Sequence, residues 1–101
     1  MLQQGKSSIC GKTIEISAPL TKVVYAGYSE KYWEVKVNRR FAGIVVELQL
    51  LDHFSYIFSM GTFDNYINNE KDWTRQFFKH PEDALGALTG TNLPKNCYKT
   101  A

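Results

Sequence analysis

Between Trp33 and Leu50, apolar and polar side chains alternate with a period of two, and the alternation is interrupted once. Trp33, Val35 and Val37 fall on one side of an extended chain, with Glu34, Lys36 and Asn38 on the other. That is the pattern of a half-buried antiparallel strand. Asn38-Arg39-Arg40 breaks it, and it resumes with Ile44, Val46, Leu48 and Leu50 facing in and Glu47 and Gln49 facing out. A β-hairpin is expected, with Gly43 marking a bulge just past its turn. After a second turn at Leu51-Asp52-His53, Phe54, Tyr56, Phe58 and Met60 alternate with Ser55, Ile57 and Ser59. A third strand on the same pattern makes a meander.

Upstream, Thr13–Ser17 alternates with Ile14 and Ile16 on one face, and Pro19 ends that strand. Lys22–Ser29 is rich in β-branched and aromatic residues and is expected as one strand, bulged or bent at Gly27. Residues 1–12 are polar, with Gly5, Gly11 and Ser7-Ser8, and are expected to be a loosely ordered lead-in. Downstream, Gly61–Asn69 reads as a turn-rich surface loop. Trp73 and Phe77, four apart with Phe78 beside them, suggest a short helix that Pro81 interrupts. A second helical turn starts at Pro81, with Glu82 and Asp83 at the positive end of the helix dipole, Leu85 and Leu88 facing in and Gly90 as a cap. Residues 91–101 are expected to be extended and loosely held.

Strands followed by helices indicate a single α+β domain over residues 1–101: an antiparallel β-meander of about four to five strands packed against a short C-terminal helical segment. A half-open barrel plugged at one end by the helical segment is the alternative. The chain is near the common size for one core, and its 44% hydrophobic and 14% aromatic residues suffice to fill one. If the helix covers only one sheet face, Val45, Leu51 and Ile57 are left on an outer face that needs a second layer or a partner.

Net charge is only +2, which does not by itself imply nucleic acid, but it is unevenly spread. Residues 1–40 carry seven Lys/Arg against three acids, and residues 41–101 carry five against seven. No apolar run is long enough to span a membrane, and the first ten residues lack a secretory apolar stretch, so a cytoplasmic location is the default expectation. Cys10 and Cys97 have neither CxxC nor Cys/His spacing, which points to incidental thiols; a bridge between them needs an oxidising compartment.

Catalytic candidates are few. Asp52 and His53 are neighbours that a strand would point to opposite sides, His80 precedes a proline, and His53 with His80 lacks a third metal ligand. Glycine-rich phosphate loops are absent. The chain is therefore expected to be a non-enzymatic binding module without a cofactor or metal, acting through a protein partner or self-association as an adaptor, regulator or inhibitor. The alternative is nucleic-acid binding by the basic hairpin tip, Arg39 and Arg40 with Lys36, joined by Lys22 and Lys31 and by stacking faces from Tyr28, Tyr32 and Phe41. Candidate contacts are thus Arg39, Arg40, Lys36 and Tyr32, together with Phe63 and Tyr66 of the aromatic segment FDNYINN.

Overall fold

The computed structural model describes residues 2–9, 11–68 and 76–90. Cys10, Trp73, Cys97 and the 91–101 tail lie outside them. Among the described residues six strands, β1 (Gly5–Ile9), β2 (Lys12–Ile16), β3 (Leu20–Tyr25), β4 (Tyr28–Val37), β5 (Arg40–Gln49) and β6 (Phe54–Ser59), precede two helices, α1 (Phe63–Asn68) and α2 (Pro81–Thr89). All strand pairings are antiparallel, in the order β1-β2-β4-β5-β6, with β3 also pairing β4. The α+β meander predicted by the alternation is the fold.

β2 and β3 lie end to end along one side of the ten-residue β4: Ile14 faces Val37, and Leu20 faces Tyr32. Between them Ser17-Ala18-Pro19 breaks the strand, because proline has no N–H to give the ladder. Ser17 closes the gap. Its N–H donates to Glu34 O at 3.0 Å, and its Oγ accepts from Glu34 N at 2.9 Å.

Two sequence expectations change here. Lys22–Ser29 is not one strand: Ala26-Gly27 turns the chain between β3 and β4, and Gly27 sits at φ 80. The lead-in is also structured, since β1 forms a hairpin with β2 and Leu2 is buried. Its polar residues face water on an edge strand, which needs no apolar alternation to be stable as part of a larger sheet.

The central hairpin forms as its pattern implies. Asn38 and Arg39 both have positive φ, 50 and 69, as a two-residue turn matched to strand twist requires. Asn38 locks that turn to β2, its N–H donating to Thr13 O and its Oδ1 accepting from Thr13 N–H. Val35 pairs with Gly43 and Lys36 with Phe41, leaving Ala42 as the extra residue of a bulge.

The bulge matters to the core. On one face Trp33, Val35, Val45 and Tyr56 pack with Ile14 against Ala84, Leu85 and Leu88 of α2. On the other, Ile44, Val46 and Ile57 pack against Phe63 and Tyr66 of α1. Helices therefore cover both faces, and Val45 and Ile57 are buried instead of forming an exposed outer face. Leu51 alone of the three expected there is fully exposed, on a turn. Trp33 is completely buried, and its indole Nε1–H has no acceptor among the described residues.

The 61–69 segment is a helix rather than a surface loop over Phe63–Asn68, because Phe63 and Tyr66, three apart, share a face that docks on the sheet. Conversely, Phe78 is not helical. Its N–H and C=O exchange bonds of 2.8 and 2.9 Å with Tyr56, capping the outer edge of β6. α2 starts as expected, with an extended His80, Pro81 in the first turn, Glu82 and Asp83 following, and Gly90 closing it by a bond to Gly86 O.

Candidate functional site

The six sequence-predicted contacts separate into two groups on the sheet. Tyr32 and Lys36 share the α1 face of β4 but stand four residues, roughly 13 Å, apart. Near Tyr32 the surface is closed: Phe63 stacks on Tyr32 with ring centroids 4.3 Å apart, and Phe63 and Tyr66 are buried. Neither is an exposed contact. Tyr66 reaches the carboxylate of Glu30, also buried, donating its hydroxyl to Oε2 at 2.9 Å. Burial pushes the Glu30 carboxyl above its usual range, only partly offset by the Tyr66 hydroxyl, and burial beside that carboxylate pushes the Tyr66 phenol up as well. Lys22 pairs with Asp64 of α1 and lies 5.6 Å from the centre of the Phe63 ring.

Around Lys36 the surface is open and basic. Arg39 and Arg40 stand exposed at the β4–β5 tip, and the Thr13–Asn38 bonds bring Lys12 beside them. Cross-strand register aligns Lys6, Glu15 and Lys36, with exposed Phe41 next in the row. This end thus gathers Lys6, Lys12, Lys36, Arg39 and Arg40 against Glu15 and Glu34. A shallow groove of about 330 Å³ crosses it, lined by Gln4, Lys6, Glu15, Ser17, Glu34 and Lys36. Of the other expected contributors, Phe41 joins the tip, whereas Lys22, Lys31, Tyr28 and Tyr32 do not. Lys31 instead sits 3.9 Å from Glu47, which accepts the Tyr56 hydroxyl at 3.1 Å, in one cross-strand row. Burial, with Glu47 alongside, pushes the Tyr56 phenol up to about 12.

The opposite end of the sheet carries a surface that the alternation hid. The β5–β6 connection is four residues long, Leu50 to His53, closed by a bond from Leu50 N–H to His53 O. Leu50 is 45%, Leu51 107% and Phe54 49% exposed. Leu50 lies just past the end of β5 and Phe54 is the first residue of β6, so reading them as inward-facing extends the strand pattern to the rim of the sheet, where neither is buried. The signal that could have found them is two leucines in a hairpin loop, where turn chemistry favours small polar residues.

In that turn Asp52 and His53 do reach each other, Oδ1 to Nδ1 at 2.5 Å, because the chain is bent there and not extended. The His53 bond holds the Asp52 carboxyl below its usual range, but both groups are exposed and solvent-screened. His80 stands apart, at the start of α2. Among the described residues no group of three or more His, Cys, Asp or Glu side chains is placed to hold a metal ion, and no helix is long and apolar enough to cross a membrane. Comparisons with family models, with curated proteins and with solved structures find no match to this chain.

Proposed function

We propose that this chain is a small non-enzymatic binding module of the cytoplasm that acts by contacting another protein, as an adaptor, regulator or inhibitor. The observation that carries this reading is the set of exposed Leu50, Leu51 and Phe54 at one end of the β5–β6 hairpin, two on its turn and one at the start of β6. Exposed apolar side chains at the end of a hairpin, flanked by Asp52 and His53, have the make-up of an interface centre with a polar rim. Leu51 is fully exposed, so its substitution separates contact from stability. The double variant Leu51→Asp, Phe54→Asp is expected to keep the parent's circular dichroism and melting profile while losing a partner that the parent captures from host lysate by site-specific cross-linking at His53. A partner retained in full by the double variant would exclude this surface.

A second reading is supported by the arginine tip. Arg39 occupies a left-handed backbone position where glycine is the unstrained choice, and strained non-glycine residues concentrate at contact sites. With Lys12, Lys36 and Arg40 around it, this end suits a phosphate backbone. Retention on single-stranded DNA or RNA at low salt, falling steeply with added salt and abolished in Arg39→Ala, Arg40→Ala, is the expected result on that reading. A parent chain that is not retained at low salt would dispose of it.

A further inference from the structure

Among the described residues three strands, β1, β3 and β6, lie at the sheet's margins, and two of them are defended. At β6 both backbone groups of Tyr56 are bonded to Phe78. β1 reads GKSSI, a polar strand carrying Gly5 and Lys6, which suits an edge that should stay unpaired. β3 reads LTKVVY and, among the described residues, pairs with β4 alone. β1 stops where Gly5 faces Ile16, before β3 begins, so the sheet is stepped and, among the described residues, no strand pairs with the outer edge of β3. The one charge on β3 does not guard it, because Lys22 is drawn toward α1 by Asp64. Val23, 68% exposed, and Tyr25, 63% exposed, are left at the opening.

A row of free backbone N–H and C=O groups accepts only an extended chain. We infer that the occupant is a second copy of this protein, joined β3 to β3 antiparallel about a two-fold axis near Val23. Self-pairing there sets Val23 near Val23 of the second copy, Lys22 near its Val24 and Thr21 near its Tyr25. No like charges meet, and β-branched and aromatic side chains oppose one another, the favourable cross-strand combination. The irregularity between Val23 and Tyr25 lies inside this pairing, so the rungs made by Val24 and Tyr25 take up the bend while Leu20 to Val23 keep unbroken register with β4. Antiparallel pairing also sends the two basic ends, with Lys12, Arg39 and Arg40, to opposite extremes of the dimer, where their repulsion is most screened. The inference goes beyond the binding role proposed above and uses neither Leu51 nor the arginine tip as a contact.

Sedimentation equilibrium of the full chain over about a hundredfold range of loading concentration tests it. The parent is expected to show a concentration-dependent dimer. Val23→Lys alone and Val23→Glu alone, both at an exposed position, are expected to be monomers with parent circular dichroism, and an equimolar mixture of the two is expected to restore the dimer. Leu51→Asp, Phe54→Asp is expected to dimerise like the parent, which separates this edge from the apolar turn. In the parent alone, amide exchange of Leu20–Tyr25 is expected to slow as concentration rises. A parent that stays monomeric throughout, a dimer that survives in Val23→Lys, or a mixture that remains monomeric would each overturn the inference; the first would leave the edge to an extended segment of a different protein.

Discussion

Gly43→Ala is expected to destabilise the protein by about 3 kcal/mol or more, enough to unfold much of a marginally stable domain of this size. Two independent causes act at this one atom. A Cβ built on Gly43 stands 2.2 Å from Ser59 O, 2.8 Å from Leu88 Cδ1 and 3.0 Å from Met60 Cα. The first and last of these contacts are with backbone, so a rotamer change cannot relieve them. The β5–β6 ladder must spread, and Ile44↔Ser59 is its first rung. The second cause is conformational: φ at Gly43 is 149, a value that L side chains rarely adopt and that costs on the order of 1–3 kcal/mol when forced. Gly27→Ala isolates this second kind of cost, since Gly27 has φ 80 and a methyl group added there would meet nothing within 4 Å. It is expected to lose only about 1 kcal/mol. Urea denaturation of parent and both variants checks the comparison. Equal losses at the two positions would show that the close approach of β5, β6 and α2 at Gly43 is not what holds the bulge.

The same bulge explains where the alternation along the chain is informative and where it misleads. Trp33/Val35/Val37 and Ile44/Val46/Leu48 read as two strands of one hairpin, and they are. The natural extension is that both sets face a single core. Register decides otherwise: Trp33 lies opposite Val45, not Ile44, so Ile44 and Val46 face α1 while Trp33 and Val45 face α2. A period-two pattern states which residues share a face of their own strand, but it cannot state which face of the neighbour they join. Ile44-Val45-Val46, apolar without a break, is the sign in the sequence that both faces are covered.

The helices are legible in proportion to their local signals. Pro81, Glu82-Asp83 and Gly90 mark α2 by capping chemistry, which acts within a few residues. α1 has no such marks. Six residues long, it is too short to be stable by its own propensity, and it exists because Phe63 and Tyr66 dock on Tyr32 and Glu30, about thirty residues or more earlier in the chain. The arginine tip is legible because a turn between two patterned strands is local. The convergence of Lys12 on it is not, because that depends on Thr13 pairing with Asn38 across the sheet.

That dependence of α1 on long-range contacts makes Tyr66 the second position where a single change should matter most. Tyr66→Ala is expected to cost about 3–5 kcal/mol, the range for removing a large buried aromatic side chain. It empties the space above Ile57 and Val46 and strips Glu30 of the hydroxyl that meets its carboxylate. Glu30 then gives a pH signature that packing loss alone would not. Its carboxyl pKa is raised in the folded protein, so the folded state holds that proton more tightly than the unfolded chain does. Its contribution is fully present below the unfolded value of 4.5 and is lost as pH rises through the folded value. Glu30→Gln keeps an acceptor for Tyr66 and removes the titration, so its stability relative to the parent should improve as pH rises from 4.5 through the folded value and level off beyond it. Tyr66→Phe keeps the ring and removes the hydroxyl that lowers the Glu30 pKa. Its loss of stability with rising pH should therefore extend to higher pH than the parent's. Denaturation midpoints for parent, Glu30→Gln and Tyr66→Phe, measured from mildly acidic to neutral pH, give the three slopes. Parallel slopes would mean that Glu30 is solvated in solution and that its carboxylate does not hold Tyr66.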